Sequence, residues 1–242
     1  MSKLPAITAA FWVMKICATT LGETAGDLVS LTLNVGYAVS SLLLLSVFAT
    51  TLVTQLVTDK YRPLLYWGVI LSTSTAGTTI SDYMDRTLGL GYATGSAILV
   101  ALLIAILVFW RLTTGTLAVS AIRSVKTETL YWITILFSNT LGTALGDFLA
   151  DDSGLGFAGG ALLISGVLAA VLAAHLLTSL PKVLLFWLAF VLTRPLGATL
   201  GDVLTKPVEH GGLALGTAGA SAVLLAILLI AIARTGRSAA AA

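Results

Sequence analysis

Apolar residues fall along this chain in eight blocks. They run from Ile7 to Val29, Gly36 to Val57, Pro63 to Met84, Leu90 to Arg111, Leu130 to Ala150, Gly154 to Leu177, Lys182 to Leu204 and Gly212 to Ala233. Each is about the 20 residues that a helix needs to cross a bilayer. The pattern predicts an all-α integral membrane protein with eight transmembrane helices. The first block holds Lys15 and Glu23 and lacks a small-residue cleavage site, so it is expected to be a permanent span rather than a signal peptide.

The blocks repeat in pairs. The segments FWVMKICATTLGETAGD, YWGVILSTSTAGTTISD, YWITILFSNTLGTALGD and FWLAFVLTRPLGATLGD align without a gap. Trp12, Trp67, Trp132 and Trp187 each stand 15 residues before Asp27, Asp82, Asp147 and Asp202, and Gly22, Gly77, Gly142 and Gly197 stand five before them. A weaker element, GYAVSS, GYATGS and GFAGGA, opens the even spans and decays to ALGTAG in the fourth copy. The expected unit is a two-helix hairpin, and the chain is four tandem hairpins of parallel topology. The aspartates are spaced 55, 65 and 55 residues apart, so the insertion lies between the second and third copies. This divides the chain into a first half (1–112), a cytoplasmic linker (113–128) and a second half (129–242).

Such a chain, four two-span units each marked by Trp12, Trp67, Trp132 or Trp187, resembles the bacterial membrane proteins built from the repeat of unknown function numbered 347. The resemblance covers nearly the whole chain and implies its fold and topology. It assigns no activity.

Composition agrees with the class, with 57% hydrophobic and 10% charged residues and a mean hydropathy of +1.01. Threading the spans puts Lys3, Lys60, Arg62, Arg111, Arg123, Lys126, Lys182, Arg234 and Arg237 on the side of the N-terminus, with Arg86 and Lys206 opposite. The positive-inside rule then predicts a bacterial inner membrane protein with both termini in the cytoplasm. Asp85, Asp151, Asp152 and Glu209 fall in outer loops, where they would concentrate cations, whereas Asp59 and Glu128 fall in inner ones. The single cysteine, Cys17, excludes an intrachain disulfide.

Within the spans, tryptophan is the ordinary interfacial anchor, and the four tryptophans are read that way. Gly22 with Gly26, Gly77 with Ser81, Gly142 with Gly146 and Gly197 with Gly201 are small-xxx-small pairs that let helices approach. The aspartates lie at the C-terminal ends of their helices, where the dipole disfavours negative charge, and a charge inside a span costs about 2.5–3.5 kcal/mol. Hydroxyls such as Thr20, Ser74, Thr75 and Thr140 are candidate partners. Asymmetry singles out Lys15 and Glu23 in the first copy and Arg194 with Pro195 in the fourth. Glu23 and Asp27 share a helix face one turn apart. Lys15, near Trp12, is read as snorkelling toward the interface, and Arg194, deeper and eight residues before Asp202, as one member of an ion pair.

Glu23, Asp27, Asp82, Asp147 and Asp202 against Lys15 and Arg194 leave three negative charges to be neutralised by protons or cations. The expected function is transport of a small cation coupled to protons. Glu23 and Asp27 are the first choice for binding, Asp82, Asp147 and Asp202 are further ligands, and Lys15 and Arg194 are charge partners. Oxygen ligands suit Mg²⁺, Ca²⁺ or Mn²⁺, so a divalent metal ion is the candidate bound group and no cofactor is required. His175 and His210 lie outside the repeated motif. No dinucleotide fingerprint, phosphate loop or catalytic triad is present, and ALGD and TLGD lack the first glycine of the intramembrane aspartyl protease signature, so an enzyme is not expected. The partners expected are the ion, protons and lipid, with self-association allowed and no nucleic acid. Two alternatives are a carrier of organic cations caged by Tyr37, Tyr92 and Phe157, and a non-transporting assembly protein.

Overall fold

The computed structural model describes residues 3–240, without the side chains of residues 210 and 237–240, which include His210 and Arg237 of the sequence reading. The described residues form eight long helices and no strand. These are α1 (Ala9–Asp27), α2 (Tyr37–Val57), α3 (Pro63–Asp82), α4 (Tyr92–Thr114), α5 (Val125–Asp147), α6 (Gly156–Leu177), α7 (Lys182–Thr205) and α8 (Thr217–Ala240). Helix starts follow local chemistry. The Thr8 hydroxyl accepts from the Phe11 amide, Pro63 occupies the first turn of α3, and Ser124 with Thr127 makes a reciprocal capping box. The sequence between the halves holds a short 3₁₀ turn, Val119–Ala121, and α5 begins within the stretch assigned to the linker.

The four odd helices close into an inner ring in the order α1, α3, α5, α7 and back to α1. Each even helix packs chiefly on the odd helix of the following repeat, α2 on α3, α4 on α5 and α6 on α7, while α8 closes on α1. The packed pair is therefore offset by one helix from the sequence repeat, which interlocks the four copies. Burial follows this arrangement, since 72% of the apolar window of α5 is inside the protein and only 17% of that of α6. Among the described residues six helices are long and apolar enough to cross a membrane, namely α2, α4, α5, α6, α7 and α8. In α1 and α3 polar residues displace apolar ones, and they are turned inward: Lys15, Thr19, Glu23 and Asp27, and Thr73, Ser74, Thr78 and Asp82, are all buried.

Glycine sets the ring's diameter. A Cβ on Gly22 would lie 2.4 Å from Ser74 Cβ, one on Gly77 2.9 Å from the Thr140 amide, one on Gly142 2.5 Å from Arg194 Cβ, and one on Gly197 2.7 Å from Thr19 Cβ. The same glycine thus seats the next odd helix at all four joints, which is the close approach that a small residue permits. The loops repeat as well. Gly36, Gly91, Gly156 and Gly216, which open the even helices, all have φ between 68° and 79°, a conformation that needs glycine.

The tryptophans correct the sequence reading. Trp67, Trp132 and Trp187 are at most 4% exposed and sit in an aromatic plug rather than at a lipid interface. Tyr66 and Trp132 are 5.5 Å apart, Phe11 and Trp67 5.7 Å, and Trp12 and Phe186 5.8 Å. The Tyr66 and Tyr131 hydroxyls bond at 2.8 Å. Because Phe11, Tyr66, Tyr131 and Phe186 precede the tryptophans in every copy, ring closure stacks all eight rings across one end of the bundle.

Candidate functional site

Stepping back from each aspartate by four residues gives successive polar layers inside the ring. The aspartate layer is Asp27, Asp82, Asp147 and Asp202. The next is Glu23, Thr78, Thr143 and Ala198, and the one below it Thr19, Ser74, Asn139 and Arg194. Below these lie Lys15, Ile70, Ile135 and Phe190, and then the aromatic plug.

Arg194 is fully buried and ties the four ring helices together. From α7, Nη1 donates to Glu23 Oε2 at 2.9 Å and to the Thr19 carbonyl at 3.4 Å, both on α1. Nη2 donates to Thr78 Oγ1 at 2.6 Å and the Ser74 carbonyl at 3.3 Å on α3, and to Thr143 Oγ1 at 2.7 Å on α5. Thr78 and Thr143 in turn donate to Glu23 Oε2, at 3.3 and 3.2 Å. Ala198, the small member of its layer, lies one turn above Arg194 on the same helix. Guanidinium, carboxylate and two hydroxyls thus fill one layer, each ring helix meeting the group.

Sequence reasoning missed Thr78 and Thr143 as the hydroxyls serving the acid, although the gapless alignment puts them in the column of Glu23. The hydroxyls expected there do other work. Thr20, Thr75 and Thr140 bond carbonyls of their own helices, and Ser74 Oγ has no partner. Nor does Lys15 snorkel. It is fully buried, its Nζ 4.2 Å from the centre of the Phe190 ring and 3.5 Å from Asn139 Oδ1. α7 runs unbroken through Pro195.

Two further cations cap the aspartate layer, both from positions assigned to outer loops. Arg86 stands 3.3 Å from Asp82 and 3.2 Å from Asp147. Lys206 stands 3.2 Å from Asp202 and 3.4 Å from Asp27. Each cation follows its own aspartate by four residues and reaches the aspartate of the next copy around the ring. In the first and third copies Leu31 and Asp151 hold that position. The fourfold repeat therefore carries twofold charge. Counting Arg86 and Lys206, the negative excess of the buried set falls from the three expected to one. Burial works against the Lys206 ammonium, but Asp202 and Asp27 more than offset it and hold its pKa above the ordinary value.

Of the five acids predicted to bind an ion, Glu23, Asp147 and Asp202 present oxygens within 4.8 Å of one another, and all three are buried. Asp27 and Asp82 lie outside that group. The i, i+4 pair of Glu23 and Asp27 is thus divided between Arg194 and Lys206. Neither Asp82 oxygen accepts a hydrogen bond, the Arg86 contact being an ion pair without hydrogen-bond geometry. A mouth of about 620 Å³ opens over this layer, lined in part by Arg86, Tyr92, Asp151 and Lys206. The chain turns there through single π-helical segments, Leu28–Thr32, Tyr83–Thr87 and Phe148–Asp152, directly after three of the aspartates, a deviation frequent at functional sites.

Asp85, expected as an exposed outer acid, is 5% exposed and packs on Gly95. Burial pushes its carboxyl up to about 6, against the Ser81 hydrogen bond and the charge of Arg86. Glu128, expected in an inner loop, is also buried, bound by Lys3 at 3.1 Å and by the Gln55 amide at 3.0 Å.

Comparison with curated proteins and with solved structures gives no match. The family model described as Repeat of Unknown Function (DUF347) matches residues 10–61, 65–116, 130–180 and 185–239, one match per structural repeat. The chain belongs to this family of tandem membrane repeats.

Proposed function

We propose that the protein is an eight-span carrier that moves a small cation, a divalent metal ion, across the bacterial inner membrane in exchange for protons, with both termini in the cytoplasm. On this reading α1 and α3 also span, their polar residues being hidden in the ring. The observation that carries the proposal is the convergence of Glu23, Asp147 and Asp202, from three different repeats, with oxygens within 4.8 Å in a buried interior. Like charges so placed need a proton or a cation between them. Hard oxygen ligands of this kind fit Mg²⁺, Ca²⁺ or Mn²⁺. The aromatic plug closes the cytoplasmic end, and the mouth opens toward the outside.

A second reading, a non-transporting assembly protein, draws on the pairing of the acids with Arg194, Arg86 and Lys206, which with buried Lys15 leaves one excess charge. The organic-cation reading loses its cage, because the Tyr37 and Tyr92 hydroxyls both accept hydrogen bonds from Arg86.

Proteoliposomes carrying a pH-sensitive dye in the lumen decide between the first two. An inward gradient of Mn²⁺, Mg²⁺ or Ca²⁺ should drive proton efflux through the wild type and not through Asp147→Asn. No proton movement with any of these ions, in vesicles whose protein remains folded, would favour the assembly reading.

A further inference from the structure

Lys206 and Arg86 occupy equivalent places in the twofold charge pattern, but they are held differently. Arg86 makes two ion pairs and also donates from Nε to the Tyr92 hydroxyl and from Nη1 to the Tyr37 hydroxyl, both at 3.0 Å. Its planar head is fixed by four groups. Among the described residues the Lys206 side chain meets two carboxylates, at 3.2 and 3.4 Å, on a flexible four-carbon stem. It leaves from the residue where α7 ends and the backbone turns extended. About a quarter of the side chain, 27%, is exposed in the mouth, while Asp27 and Asp202 beneath it are 6% and 4% exposed. Asp202 is also a member of the buried group with Glu23 and Asp147.

We propose that Lys206 is a tethered counter-cation that the transported ion displaces. The ammonium already shows that a cation rests between Asp27 and Asp202, where Lys206, which lines the mouth, touches a member of the three-carboxylate group. An incoming ion takes over Asp202 and Asp27, the lysine swings into the mouth, and the ion has reached the first ligand of the inner group. Arg86 stays latched over Asp82 and Asp147 on the mouth side, so the ion enters beside Lys206 and reaches Asp147 from within the ring. Lys206 is a positioning and competing group, and it sets apparent affinity through its own occupancy of the site. The inference rests on the cation reading above.

The test is thermal stabilisation of the purified full-length protein in detergent, titrated with Mg²⁺, Ca²⁺, Mn²⁺, Na⁺ and K⁺. Lys206→Gln removes the competitor, so the concentration giving half-maximal stabilisation should fall about tenfold or more relative to wild type. Lys206→Arg, which locks the pair, should raise it and serves as the deciding variant where the Gln form does not fold. Lys206→Ala should be stabilised by millimolar ethylammonium, which refills the vacated place, and wild type should not. If an ion stabilises wild type but with the same half-maximal concentration in Lys206→Gln and Lys206→Arg, displacement is overturned while the cation site stands. If no ion stabilises any of the proteins and ethylammonium rescues nothing, both readings fall.

Discussion

Removing Arg194 tests how the four repeats are held together. In Arg194→Met the stem is kept and the guanidinium lost, together with its contacts to Glu23 at 2.9 Å, Thr78 at 2.6 Å and Thr143 at 2.7 Å. Breaking a buried ion pair from one side costs about 3–5 kcal/mol, because the remaining charge is left unpaired in a low dielectric. The two threonine hydroxyls still donate to Glu23, which places the expected loss at the lower end, about 3 kcal/mol. Replacing both partners, in Glu23→Gln with Arg194→Met, leaves a neutral amide that the same hydroxyls can bond. That cost should drop to about 1–2 kcal/mol, since a neutral well-packed pair is often as stable as a buried ionic one. The assay is reversible unfolding in mixed detergent micelles of wild type, both single variants and the double variant. The reasoning predicts that the double variant is more stable than Arg194→Met alone, with a coupling energy of at least about 2 kcal/mol. Additive losses, or a single variant within about 0.5 kcal/mol of wild type, would refute the claim that this pair closes the ring.

Other expectations follow from single positions. Gly142→Ala puts a methyl 2.5 Å from Arg194 Cβ and 3.0 Å from its backbone carbon, and should destabilise by about 1–3 kcal/mol in the same assay. Gly166→Ala in α6 meets nothing within 4 Å and should be neutral or stabilising by up to about 1 kcal/mol. Asp85, raised to about 6 from 3.8, holds its proton more tightly folded than unfolded, so its contribution to stability is present below pH 4 and is lost as pH rises through 6. Asp85→Asn should therefore flatten the melting temperature between pH 4 and 7 and raise it at pH 7.5, by an amount equivalent to about 1 kcal/mol. A variant that melts in parallel with wild type across that range would contradict the assignment. Tyr66→Phe removes the 2.8 Å bond to Tyr131 inside the plug and should cost about 1 kcal/mol, read as a drop in melting temperature.

What the sequence made legible was whatever the repeat multiplies. The four-copy organisation, the helices and the small residues at each joint follow from one alignment, because close packing at Gly22, Gly77, Gly142 and Gly197 is demanded four times over. What it hid was the partner across the ring. Tryptophans near a span end ordinarily anchor in lipid, yet closure of the odd helices turns three of them inward, a consequence of which helix neighbours which. Lys15 was misplaced for the same reason, its layer lying inside the ring above the plug. Arg86 and Lys206 looked like loop residues because span boundaries drawn by hydropathy end two or three residues past the aspartate. The helix actually continues one turn past Asp82, and after Asp202 it carries Lys206 back over the layer. Thr78 and Thr143 were in plain view, in the column of Glu23, but a threonine draws no attention until an arginine is seen to reach it.

The departures from fourfold symmetry fall in an order along the axis. At the plug the copies are nearly equivalent, an aromatic pair from each. Lys15 breaks the first polar layer, Arg194 the second and Glu23 the third, and the first and fourth copies, which supply these residues, are neighbours across the α1–α7 joint. Lys206 belongs to the same joint, linking Asp202 of α7 to Asp27. The opposite joint, between α3 and α5, holds Arg86 with its tyrosine clamps, and below it lie threonines, serine and asparagine. The α1–α7 side of the ring thus collects Lys15, Glu23, Arg194 and Lys206, whereas the α3–α5 side carries no charge between the plug and the layer of Asp82, Asp147 and Arg86. On the transport reading proposed above, this segregation would give a duplicated, symmetric bundle one charged side, with α3 and α5 holding the ring and α1 and α7 carrying most of the groups that change partners.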